Sequence, residues 1–179
     1  MRRPITKQLT LSALLCALIA VCAQVHIPLP PVPVSLSLLA VYLSGALLGP
    51  AWGAAAAGCY VLLGAAGMPV FSGFAGGVSA LLGPTGGFLL SYAPSSAAVG
   101  AAVRRFGFTR RALWAGMAAG TLLCYLMGTL WFSAAAGSTL RAAFSACVLP
   151  FLPGDALKMA LAVSLCMRLH RALRAMMIL

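Results

Sequence analysis

Asp155 is the only carboxylate side chain in 179 residues, and Lys158 follows it at a spacing of three. If the segment is helical, that spacing puts acid and base on one face, within reach of each other. The surrounding stretch from Phe151 to Val163 is otherwise apolar. A charge at the centre of a membrane helix costs roughly 2.5–3.5 kcal/mol even on the lenient insertion scale, so an ionisable pair there needs a reason. Three readings stand open. The pair can neutralise itself and fix helix packing, although a buried pair contributes little net stability. Alternatively it meets a polar ligand, or Asp155 carries a proton in a secondary carrier. Hydrolysis is a poor reading, because there is no second carboxylate and neither His26 nor His170 stands beside a plausible nucleophile.

The elements that position this pair must be membrane helices. Hydrophobic residues make up 63% of the chain and charged residues 7%, with a mean hydropathy of +1.05. A water-facing surface needs several times more charge. Residues 8–103 contain no Asp, Glu, Lys or Arg. At about 20 residues per transmembrane helix, such a run crosses the bilayer several times. The long Ala/Leu/Gly-rich stretches favour helices over the short alternating segments of a barrel.

The net charge of +11 suggests nucleic acid at first sight, but its distribution argues against it. Arg2, Arg3 and Lys7 lie at the start, Arg104, Arg105, Arg110 and Arg111 in the middle, and Arg168, Arg171 and Arg174 near the end. These read as three cytoplasmic anchors. Joining them gives one transmembrane domain, 1–179, with six helices near 8–25, 34–48, 51–67, 84–103, 112–132 and 153–170 and both termini cytoplasmic. Connections near 26–33, 68–83 and 133–152 then face outward, where only Arg141 adds a positive charge. With Arg168 at the inner interface, a rise of about 1.5 Å per residue sets Asp155 roughly 20 Å and Lys158 roughly 15 Å above it. Both fall within a hydrocarbon core about 30 Å thick, in its outer half or near the midplane. Pro153 and Gly154 suggest that the last helix begins just before Asp155, where free N–H groups favour an anion.

The outer connections have their own grammar. Four prolines between 28 and 33 cannot stay helical and make a stiff, extended first loop. The glycine-rich stretch 67–79 carries Phe71 and Phe74 and reads as a lid with flat apolar faces. As a phosphate cradle it is weak, since no Gly-Lys-Ser/Thr follows it. Leu47-Leu-Gly-Pro and Leu81-Leu-Gly-Pro repeat one turn chemistry, and Gly45 and Gly49 form a GxxxG step. Ala13 and Ala17, continued by Ala20, form an AxxxA face that lets another backbone approach. The short basic turn 104–111 suits anionic lipid headgroups. The six cysteines form no CxxC pair or His-spaced cluster, so they read as small hydrophobes and no metal site is expected.

Taken together, Ile27-Pro-Leu-Pro-Pro-Val-Pro-Val34, Leu47-Leu-Gly-Pro, Gly67-Met-Pro-Val-Phe71, Leu82-Gly-Pro-Thr-Gly-Gly-Phe88 and Pro153-Gly-Asp-Ala-Leu-Lys158 resemble the BioY family, the biotin-binding S components of energy-coupling-factor (ECF) transporters. The likeness covers nearly the whole chain in order. It implies an all-α membrane protein of six helices in a bacterial cell membrane, with no enzymatic activity and no cofactor, and a biotin pocket open to the outside. It implies further that the proline-rich loop, the glycine-rich loop and the last helix enclose the vitamin. Ala13 and Ala17 would dock on a transmembrane coupling subunit, and two cytoplasmic ATPases would power the complex; a homo-oligomer stays open.

Biotin has a urea group, an apolar thioether ring and a carboxylate on an aliphatic tail. Asp155 can accept the urea N–H groups, and Lys158 can donate to the urea oxygen or pair with the carboxylate. Ser37, Phe71, Ser72, Phe74, Gly76, Thr85, Gly86 and Tyr92 complete the candidate lining. The tail carboxylate has Lys158, Arg141, loop amides or hydroxyls such as Ser72 and Thr85 as partners. Many family members carry glutamine where this chain has Ser37, a departure from the family pattern that leaves a shorter polar group at that position. An S component for another vitamin would share the architecture, but the cation thiamine would favour acidic residues this chain lacks.

Overall fold

The computed structural model describes residues 5–27 and 33–175. Arg2, Arg3 and the prolines at 28, 30 and 31, which figure in the sequence reading, lie outside the described residues. Helices α1 (Ile5–Gln24), α2 (Ser37–Leu48) and α3 (Pro50–Ala65) come first, with a two-stranded antiparallel hairpin, β1 (His26–Ile27) and β2 (Val34–Ser35), between α1 and α2. A 3-10 turn (Ser72–Phe74), α4 (Val78–Leu82) and α5 (Gly86–Leu90) lead into α6 (Tyr92–Phe106). The chain ends with α7 (Arg110–Ala136), α8 (Leu140–Cys147) and α9 (Leu152–Ala175).

Helix α2 is the centre of the bundle. Every residue from Ser37 to Leu47 is buried, and α1, α3, α6 and α9 pack around it. A helix that is apolar on all sides belongs in such a place. Gly45 makes the packing close, since a Cβ there would collide with the Ser96 carbonyl on α6. Gly49 has a different role from the one its GxxxG spacing suggests. With φ of +83° and nothing within 4 Å of a would-be Cβ, it serves the turn into α3 rather than a helix contact.

Helices α1 and α7 are each long and apolar enough to cross a membrane, and α8 with α9 forms a further such unit bent by 52°. Helices α2 and α3 are apolar but shorter. Two expectations need correction. The helix foreseen over 84–103 is broken into α5 and α6, because Pro94 lacks an N–H and its ring would meet the Leu90 carbonyl. The Ser91 hydroxyl, donating to the Phe88 carbonyl at 2.6 Å, seals the break. The connection 133–152 is not open loop. Gly137 turns α7 at φ of +60°, and the Thr139 hydroxyl caps α8 by accepting from the Ala142 amide at 3.3 Å.

Candidate functional site

Helix α9 begins at Leu152, and the Asp155 amide already bonds back to the Phe151 carbonyl at 2.8 Å. Its first two turns carry Asp155 and Lys158 inward, where they are 4% and 7% exposed. Lys158 Nζ donates to Asp155 Oδ1 at 2.9 Å. The second carboxylate oxygen, Oδ2, accepts from the Tyr125 hydroxyl on α7 at 2.6 Å. The carboxylate is thus held from both sides. Each oxygen keeps a further lone pair and Lys158 keeps two more N–H donors, so the cluster can accept and donate side by side.

The cluster stands on the wall of a cavity of about 60 Å³ that is also bounded by Phe88, Tyr92, Cys124 and Phe151. A neighbouring cavity of about 90 Å³ is bounded by Phe71, Ser72, Thr85 and Leu89. The two share Pro33, Ser35, Phe88 and Tyr92 as walls. A water needs on the order of 10–15 Å³, so each chamber has room for several. One end of this pair of chambers is ionic, the middle aromatic and the other end hydroxylic.

Neighbouring elements hold the walls. Gly87 and Gly128 bring α5 against α7, since a Cβ at Gly87 would meet the Trp131 side chain and one at Gly128 the Phe88 ring. Phe88 is thereby seated in the partition. Tyr92 exchanges a hydrogen bond with Ser37 at 2.5 Å, and Ser37 another with Ser35 at 2.6 Å. The Tyr60 ring stacks on Tyr92 at 6.1 Å and meets Phe71 edge-on at 5.5 Å, linking the chamber to the glycine-rich loop.

That loop is anchored rather than loose. Phe71, 3% exposed, sits where any side chain at Gly64 would stand. Gln24, at the end of α1, donates to the carbonyls of Val70 at 3.2 Å and Phe71 at 3.1 Å and accepts from the Phe74 amide at 3.0 Å.

Of the residues singled out in the sequence, Asp155, Lys158, Tyr92, Phe71, Ser72 and Thr85 stand on the cavity walls. Four others do not. Ser37 lies behind Tyr92 and shares a hydrogen bond with its hydroxyl. Phe74 points away, 71% exposed at φ of +58°, because the sharp turn that buries Phe71 expels it. Gly76 lets the loop close on the Met68 carbonyl, and Gly86 lets α5 approach the Leu81 carbonyl. Arg141 is exposed on α8 and lines neither chamber. The sequence reading missed Tyr125, Cys124, Phe88, Phe151 and Gln24. A tyrosine within an apolar helix must satisfy its hydroxyl, a signal that could have found Tyr125 but not its partner.

The BioY family model matches residues 1–175. A probable biotin transporter BioY of Pyrococcus horikoshii is 36% identical over 164 residues, covering 92% of this chain and 96% of its own length. The biotin transporter BioY of Thermotoga maritima is 35% identical over 165 residues, with the same coverage of each chain. Among solved structures, the S component for biotin from an ECF-type ABC transporter superposes with a TM-score of 0.85 at 29% identity, over 93% of this chain and 92% of that one. Family model, relatives and fold agree along nearly the full length, and the chain belongs to the BioY family.

Proposed function

We propose that this chain is the biotin-binding membrane subunit, the S component, of an ECF-type transporter. The observation that carries the reading is the chain's one carboxylate, fixed by Tyr125 and Lys158 on a buried cavity wall. A urea presents two N–H donors and one oxygen acceptor. The free lone pairs of Asp155 and the remaining N–H groups of Lys158 complement both. Phe88, Tyr92 and Phe151 supply apolar faces for the thioether ring. The tail then runs past Phe88 into the second chamber, where Ser72 and Thr85 offer hydroxyls to its carboxylate. A family of transporter subunits calls for binding and release, not bond chemistry, and the site holds groups suited to that.

The same reading covers topology and partners. Six crossings are taken by α1, α2, α3, α5–α6, α7 and α8–α9, with both termini and the basic ends cytoplasmic and the chambers facing outward in the plasma membrane of a bacterium. The whole chain acts as one domain. Ala13 and Ala17 are both exposed on α1; they are the docking face for a coupling subunit driven by two ATPases. Equilibrium titration of the purified protein with labelled biotin is the direct test, and saturable one-to-one binding is expected. No binding sinks the assignment. With coupling partners present, uptake is expected to survive an uncoupler while ATP is maintained; loss of uptake would favour Asp155 as the proton site of a secondary carrier.

A further inference from the structure

Away from the ligand chambers, a third cavity of about 350 Å³ opens at the other end of α9. Its walls are the α2–α3 turn, the last turn of α6, Phe108 in the connection that follows, and His170 on α9. Ala46, Leu47, Leu48 and Val103 make most of the lining apolar, and Arg104 gives one edge a permanent positive charge. The His170 ring lies flat on Phe108, with centroids 3.8 Å apart. The cavity is therefore amphiphilic, apolar inside and cationic at its rim.

The charges around it cannot be neutralised by acidic side chains of the protein itself. Arg104 and Arg105 end α6, Arg110 and Arg111 begin α7, and Arg168 and Arg171 lie on the last turns of α9. The one acidic side chain in the chain, Asp155, is engaged with Lys158 and Tyr125 more than three helical turns away along α9. No acidic side chain of this chain can supply a counter-charge there, whereas a phosphate of another molecule can. Basic pockets between membrane helices take phosphate headgroups, with each Lys or Arg near the surface contributing about 1 kcal/mol.

We infer that this cavity is a binding site for one anionic glycerophospholipid, its phosphate at Arg104 and its glycerol and upper acyl carbons against the apolar wall. Basic side chains scattered on a surface would attract anionic lipid diffusely. The cavity between α2, α3, α6 and α9 holds it at one place, against the helix that carries the ligand cluster. The inference does not rest on which vitamin the chambers take.

Native mass spectrometry of the full-length chain in detergent tests it, with phosphatidylglycerol and phosphatidylcholine of matched acyl chains as probes. One phosphatidylglycerol is expected to bind in preference to phosphatidylcholine. Arg104→Gln is expected to weaken it about fivefold, the equivalent of about 1 kcal/mol for one surface arginine. Arg104→Lys is expected to retain binding. Arg141→Gln, on α8 outside this cavity, is expected to change nothing. Equal binding of the two lipids, or equal effects of the Arg104→Gln and Arg141→Gln substitutions, overturns the site. Displacement of the lipid by glycerol phosphate overturns the lipid assignment in favour of a soluble phosphate. Biotin titration of the same variants is expected to be unchanged, which separates failure here from failure of the transport reading.

Discussion

Asp155 and Lys158 distinguish a packing device from a ligand device when they are replaced singly and then together. At 2.9 Å and an effective dielectric of about 20, their Coulomb attraction is about 6 kcal/mol, most of which offsets the desolvation of two ions. Removing one partner leaves the other charge buried and unpaired, so Lys158→Gln or Asp155→Asn alone should destabilise by about 3–5 kcal/mol. The double variant Asp155→Asn/Lys158→Gln leaves two neutral amides able to bond to each other, and Tyr125 still has an oxygen to meet. It should recover most of the stability lost by either single variant. Binding should not recover, because an amide pair offers a urea neither the carboxylate nor the ammonium. Unfolding in detergent and biotin titration of the three variants are the assays. Affinity at least about tenfold weaker in Asp155→Asn, or about 1.4 kcal/mol, and equally weak in the double variant is expected. A double variant that binds biotin like the parent would refute the ligand role and leave the pair as a packing device.

Tyr125→Phe keeps the ring and removes one hydrogen bond to a charged oxygen, so it should cost about 1.5–3 kcal/mol in stability and weaken biotin; unchanged values for both would show that Lys158 alone fixes Asp155. Gln24→Ala takes away three bonds that pin the loop 70–74 to α1, at about 1 kcal/mol each. Amide exchange in that loop should rise while α9 stays protected, and unchanged exchange would mean that Phe71 holds the loop unaided. Ala13→Trp enlarges an exposed small-residue face. Biotin binding in detergent should persist while uptake with the coupling partners stops, and loss of binding would instead place helix α1 in the ligand machinery.

Membrane character was legible in the chain alone, because residues 8–103 without a charge leave few other solutions in water or lipid. So was the importance of Asp155, since a unique carboxylate three residues from a lysine is visible as a string. The break between α5 and α6 was also within reach through Pro94, although the apolar run around it concealed the boundary. Three-dimensional packing decided the rest. Tyr125 comes to Asp155 across 30 residues, and Gln24 to Phe71 across 47; no local pattern encodes a partner at such separation. Phe71 and Phe74 look equivalent in the glycine-rich loop, yet one is buried under Tyr60 and the other is expelled. Composition and spacing act along the chain and determine which groups must be hidden from lipid. Which of them meet is determined by close approaches such as Gly87 on Trp131 and Gly128 on Phe88, and those exist only once the helices have packed.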